Sequence, residues 1–164
     1  MIQLESLPPL VWQPEPVSWS HSDGILRATA SEKTDLFTDP QGKSNTDNAA
    51  KLLLEAQQDF ILSTCVTVDF SDTFDAGVLV LYQHSTSWAK LCFERSPQGS
   101  PMIVSVVTKG TSDDCNSVWI DSNSVYLRIC KMGSGFAFHY SLDSSYWHMV
   151  RVLPSSLGLS KLGF

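Results

Sequence analysis

The sequence predicts an all-β sandwich of two antiparallel sheets, and three observations carry that expectation. Apolar residues recur at every second position in a series of short runs, the period of a half-buried strand. Clusters of Ser, Asp, Asn, Gly and Pro separate the runs, and these are turn-forming residues. Helical periodicity is almost absent, and many short strands at this spacing indicate a sandwich or a barrel.

Taken in order, the first contested stretch is 47–56. Asp47 can cap a helix, and Ala49, Ala50, Lys51 and Leu52–Leu54 are good helix formers. Residues 60–70 are clearer: Phe60, Leu62, Val66, Val68 and Phe70 share one face, while Ser63, Cys65, Thr67 and Asp69 share the other. Residues 77–84 (GVLVLYQH) are apolar on both faces, as in a central strand covered on both sides. In 88–95, Ala89, Leu91 and Phe93 alternate with Trp88, Lys90, Cys92 and Glu94. Further runs follow at 102–108, 117–120, 124–131, 135–141 and 147–153. Turn signals at Ser96-Pro97-Gln98-Gly99, Asp121-Ser122-Asn123, Gly133-Ser134-Gly135 and Asp143-Ser144-Ser145 punctuate them. No repeat or linker divides the chain, so one domain is expected over 1–164.

Composition narrows the function classes. With 43% hydrophobic and 17% charged residues, the chain has the makings of a packed core. A net charge of −6, and cations that never cluster, argue against nucleic acid and anionic membrane as partners. The start of the chain lacks a basic leader followed by an apolar stretch, and no run is long enough to span a bilayer. Cys65, Cys92, Cys115 and Cys130 are widely spaced without a C-x-x-C pair, which favours reduced, packed thiols and a cytoplasmic location.

Catalytic signatures are missing. A glycosidase needs two carboxylates across a sugar, yet none of the five Glu has a second carboxylate two or four residues away on a strand-like run. Asp69, Asp72 and Asp75 loosely suggest a calcium loop but match no defined spacing, so a solvated turn is expected. His21, His84, His139 and His148 form no zinc-ligand pattern, and neither a G-x-S-x-G elbow nor a phosphate-cradling glycine loop occurs. A non-catalytic domain without cofactor or metal is the expectation.

What remains is a set of polar and aromatic residues in mid-strand positions: Trp88, Lys90, Glu94, Tyr126, Arg128, His139 and Arg151. Mid-strand charges must meet water, a partner or a ligand. They form either a solvated sheet face stitched by weak ion pairs or a ligand groove. In the groove reading Lys90, Glu94 and Arg128 line the site, Glu94 pairs with Arg128 or Arg151, and Trp88 or Tyr126 is the stacking platform.

Some of these residues also carry a resemblance. The ordered set Gly77-Val78-Leu79-Val80, Trp88–Glu94, Ser105–Thr108, Val125–Arg128, Tyr140-Ser141-x-Asp143 and Trp147-x-x-Val150-Arg151 is similar to the regulation-of-enolase-type family. Trp12, Pro14, Leu26, Thr34–Phe37, Asp47-Asn48 and Asp59-Phe60 fit as well. The resemblance implies a concanavalin A-like jelly-roll sandwich with a concave face, and it implies that Leu52–Ala56 is a strand. It departs at Asp143-Ser144-Ser145, where Asp-Gly is usual, and it implies one further strand beyond the run 157–164. Two functions follow: binding of a carbohydrate or small polar ligand in the concave groove, or regulation of a protein partner. Oligomeric state is left open.

Overall fold

The computed structural model describes residues 9–56 and 59–164. Its first strands are β1 (Val11–Trp12), β2 (Ser18–Ser22), β3 (Ile25–Thr29), β4 (Leu36–Thr38) and β5 (Asn45–Asp47). Next come β6 (Leu52–Glu55), β7 (Phe60–Thr67), β8 (Ala76–His84), β9 (Ser87–Arg95) and β10 (Pro101–Lys109). The last are β11 (Thr111–Trp119), β12 (Ser124–Met132), β13 (Gly135–Ser141), β14 (His148–Pro154) and β15 (Lys161–Gly163). A 3-10 turn, Ser155–Leu157, precedes β15.

Two antiparallel sheets face each other. The larger has seven strands in the order β1-β6-β15-β8-β9-β10-β11, the smaller four in the order β14-β13-β12-β7. Two hairpins, β2–β3 and β4–β5, stand apart from both. The interior is made by alternate residues of both sheets, among them Leu79, Leu81, Leu91, Phe93, Leu127, Ile129, Phe136 and Phe138. Their burial supplies the main driving force for closing the sandwich.

The seven-stranded sheet is also covered on part of its outer side. Leu36, Leu53, Val80, Trp88, Cys92, Met102, Val104 and Val106 form a second buried cluster there, and Phe37 packs against it. The β4–β5 hairpin is tied down by the Thr38 amide donating to Ser112 Oγ at 2.9 Å and by Tyr82 Oη donating to Asp47 at 2.8 Å. Central strands of this sheet therefore bury both faces.

That double burial settles the contested stretch. Leu52–Glu55 is a strand, with Leu54 in the inner core and Leu53 in the outer cluster. A two-sided sheet position uses apolar residues at consecutive places, so a run of leucines outweighs a local helix preference. The run 157–164 is extended only over Lys161–Gly163, and that strand lies inside the sheet with β6 and β8 on its two sides.

Candidate functional site

Trp88, Lys90, Cys92 and Glu94 share the outer face of the seven-stranded sheet, as alternation predicts, but the face is not an open groove. Trp88 is wholly buried, and its indole N–H donates to the Ser85 carbonyl at 3.3 Å. Lys90 is only 7% exposed and reaches Asp35 at 3.3 Å. Across the sheet, Lys90 is opposite Val80 and Val106, and Val106 is opposite Asp114. One buried cation thus sits among Asp35, Glu94 and Asp114.

The electrostatics follow from that placement. Burial works against the Lys90 charge, but Cys92, Asp35 and Glu94 outweigh it, so its pKa rises above the ordinary lysine value. Burial pushes the Glu94 carboxyl up to about 7; Lys90 opposes this, and Asp114 and Asp35 add to it. Asp114 is raised as well, again chiefly by burial. The Cys92 thiol is pushed up to about 12 by complete burial, which leaves it an unreactive packing group.

Tyr126, Arg128 and His139 lie on the other side of the molecule, on the outer face of the four-stranded sheet. Arg128 is directly opposite His139 on one neighbour and Ser63 on the other. The Trp147 ring covers its guanidinium, with 3.4 Å between Arg128 Cζ and the ring centroid. Arg128 Nε and His139 Nδ1 are buried without a hydrogen-bond partner among the described residues. Burial, then the Arg128 charge, holds the His139 pKa below its ordinary value, so this imidazole is neutral at pH 7.

Trp147 is posed by the turn before it. Asp143 accepts from the amides of Ser145 (2.8 Å) and Tyr146 (2.9 Å) and from Ser141 Oγ (3.0 Å). These bonds, the Tyr146 amide first, hold its carboxyl below the usual range. Ser144 adopts a left-handed φ of 62°, and its carbonyl accepts the Trp147 indole N–H at 3.1 Å. This is the site where Asp-Gly would be usual, and a serine makes the turn instead.

Beside Arg128 runs an apolar row. Ile61, Cys130, Ala137 and Val152 are in register across β7, β12, β13 and β14, all facing outward. Ile61 is 66% and Val152 64% exposed, and Met132 and Met149 nearby are 74% and 66% exposed.

The expected single groove is therefore corrected. Lys90 and Glu94 are separated from Tyr126, Arg128 and His139 by the sandwich core, so the residues cannot share a ligand. Glu94 pairs with neither arginine; among the described residues the close ion pairs are Lys51–Asp47, Lys90–Asp35 and Arg151–Asp113. Arg151 belongs to neither face. A register shift at β13–β14 places it opposite the core residue Phe138, and it crosses the sandwich edge to Asp113 at 2.6 Å. Nor is Lys90 solvated, because Asp35, remote in sequence, closes over it. Asp35, Asp114, Trp147 and the apolar row were missed. Outward parity marked the row at Ile61, Cys130 and Ala137, but its continuity depends on strand order.

Other expectations divide. The Asp69–Asp75 region is a turn: Asp75 accepts from the Ser71 amide, the Ser71 hydroxyl and the Asp72 amide, and the backbone bonds hold its pKa low. No three His, Cys, Asp or Glu side chains among the described residues are grouped to hold a metal. The four cysteines are free thiols, but only Cys92 and Cys130 are buried; Cys65 and Cys115 are exposed, which corrects the expectation of packed thiols. No described helix is long and apolar enough to cross a membrane.

Comparison with known proteins decides the family. The model of a family described as protein of unknown function (DUF1349) matches residues 12–161. The chain belongs to this family. No curated protein matches it. Among solved structures, a functionally unknown protein from Saccharomyces cerevisiae is similar, with a TM-score of 0.83 and 25% identity over 93% of this chain and 83% of that one. A mutant of the GH43 protein BlXynB from Bacillus licheniformis is similar in fold, with a TM-score of 0.59 and 12% identity over 69% of this chain and 28% of that one. Both likenesses fit this DUF1349 chain as a concanavalin A-like β-sandwich.

Proposed function

We propose that this DUF1349 chain is a non-catalytic, cytoplasmic binding domain that docks a protein partner on the outer face of its four-stranded sheet. The observation that carries the reading is the apolar row Ile61–Cys130–Ala137–Val152, whose ends Ile61 and Val152 are exposed on either side of the buried Cys130, together with the exposed Met132 and Met149. Large apolar side chains grouped in the open on one sheet face mark interaction sites. Arg128 adds direction: it is stacked under Trp147 and is in none of the close ion pairs among the described residues. Arginine and tryptophan side by side are the residues that dominate binding energy at interfaces. The partner is a protein surface with apolar side chains and a carboxylate placed for Arg128. A regulatory role, as the enolase-type resemblance implies, would act through this face.

The rival reading puts a carbohydrate or small polar ligand above Lys90. It loses its stacking platform, because Trp88 is wholly buried.

The test is affinity capture from the source cells with quantitative mass spectrometry, using wild type, Ile61→Glu/Val152→Glu, Arg128→Ala, and Glu94→Gln on the opposite face. One or more proteins retained by wild type and Glu94→Gln, and lost from the other two, are expected. Retention by all four folded proteins would overturn the reading. Self-association of wild type in sedimentation, lost in Ile61→Glu/Val152→Glu, would make the partner a second copy.

A further inference from the structure

The loops at one end of the sandwich present aromatic side chains that neither sheet uses. In the seven-stranded sheet, the Phe74 amide donates to the Arg95 carbonyl at 2.8 Å, Arg95 is opposite Pro101, and the Ile120 amide donates to the Pro101 carbonyl at 2.9 Å. In the four-stranded sheet, the Val68 amide donates to the Asn123 carbonyl at 3.0 Å, and Ser141 is opposite Tyr126. Phe70 and Phe93, whose rings are 5.1 Å apart, join the two sheets there. The connections 68–75, 96–100, 120–123 and 142–147 therefore all lie at this end. Phe74, Leu142 and Tyr146 in these connections, and Trp119 beside one of them, are each more than half exposed.

Phe74 is the anomaly. Its φ is 71°, a left-handed conformation that a bulky side chain rarely adopts. The backbone is pinned in it: Asp75 Oδ2 accepts from the Ser71 and Asp72 amides, and the Arg95 amide donates to the Asp75 carbonyl at 2.9 Å. The ring stays largely in solvent, so little burial offsets the strain. Strain that the surrounding bonds hold in place marks functional positions. Charge decides what this end can meet. The four connections carry Asp69, Asp72, Asp75, Asp121 and Asp143 and no Lys or Arg. Lys109 and Lys131 stand at the far ends of their strands. Arg95, at the end of β9, donates its guanidinium to the Ser71 carbonyl. Backbone amides hold the Asp75 and Asp143 carboxyls below the usual range, so both are charged at neutral pH. Aromatic side chains among five carboxylates repel an anionic lipid surface and suit a cation that carries apolar groups.

We propose that this end of the sandwich docks a cationic, amphipathic segment of a partner protein. Its bulky apolar side chains rest against Phe74 and Trp119, and its Lys or Arg side chains lie among the loop carboxylates. The row from Phe74 to Ile120 crosses three strand spacings, about 14 Å. An amphipathic helix of three turns, ~16 Å long, spans it. The surface is distinct from the docking face of the four-stranded sheet, and neither reading rests on the other.

The probe is an amphipathic Lys/Leu peptide of about fourteen residues, ~21 Å long as a helix, with its Glu/Leu counterpart as the control. Both are titrated into the ¹⁵N-labelled protein. The Trp119 indole N–H signal, one of five, is identified by its loss in Trp119→Phe. A saturable shift of this signal by the Lys/Leu peptide alone is expected, weakening as salt is raised. Phe74→Gly removes the ring and relieves the left-handed strain. It should melt no lower than wild type yet bind at least ~fivefold more weakly, as for a contributing interface residue. Asp121→Asn should also weaken binding, and Asp23→Asn, which removes the same charge from the β2–β3 turn, should not. No shift, equal binding of both peptides, or unchanged affinity in Phe74→Gly would overturn the proposal. So would a Trp119 signal moved by phosphatidylcholine vesicles and not by the Lys/Leu peptide, which would make this end a lipid contact.

Discussion

At the scale of single residues, Glu94 shows how position sets chemistry. Its carboxyl is pushed up to about 7, chiefly by burial, while the same group in the unfolded chain titrates near its ordinary 4.5. Between those values the native state holds a proton that the unfolded chain has released. Stability therefore falls as pH rises across that window and levels off above it. Glu94→Gln removes the ionisation. Its Tm should match wild type near pH 4 and exceed it at pH 8, with a gain on the order of 1–2 kcal/mol once partial exposure is discounted. Thermal unfolding at both pH values checks this; a variant less stable than wild type at pH 8 would mean that the attraction to Lys90 outweighs the burial cost. Mid-strand charge was legible in the sequence for Lys90 and Glu94. The counter-charges were not, because Asp35 comes from the segment before β4 and Asp114 from two strands away.

At the scale of elements, the β13–β14 connection couples a local rule to a site. Asp143 gathers two backbone amides and a hydroxyl, the chain turns through Ser144 with φ 62°, and Trp147 comes down over Arg128. A left-handed serine is strained where glycine is not. Ser144→Gly should therefore stabilise the protein by about 0.5–1 kcal/mol, read as a rise in the urea midpoint. Partner capture should stay intact, since the Ser144 carbonyl that holds the indole is unchanged. The turn was visible in the sequence as Asp-Ser-Ser; that it positions an aromatic over a cation was not. Arg151 makes the complementary point: a one-residue bulge moves it from its expected face to the sandwich edge.

At the scale of the whole molecule, closure depends on β15. Gly163 is opposite Leu53 on one side and Val80 on the other, and a Cβ there would collide with the Leu52 carbonyl. The Phe164 amide donates to that same carbonyl at 3.1 Å. Gly163→Ala should cost about 2–4 kcal/mol, because the neighbouring backbone has no room to yield. Chemical denaturation checks it, and a loss under about 0.5 kcal/mol, the size of a surface substitution, would show that the sheet tolerates separation there. The assembled sandwich also has two unlike outer faces. One holds Lys90 among three carboxylates under the β4–β5 hairpin; the other carries an apolar row beside a tryptophan-covered arginine. A ligand suited to one has no reason to bind the other.

Alternation by itself determined which residues point inward, from Ala89, Leu91 and Phe93 to Val125, Leu127 and Ile129. It also marked Lys90, Glu94, Tyr126, Arg128 and His139 as pointing out. Side-chain direction along a strand is a local property with a period of two, so sequence suffices for it. Only the tertiary structure decided that β9 and β12 belong to different sheets, which places those outward residues on opposite sides of the molecule. It alone decided that a hairpin buries Trp88, and that Leu52–Leu54 is extended between β1 and β15. Strand order and coverage are set by pairings between residues far apart in the chain, with free energies shared across whole faces. No local pattern carries that information.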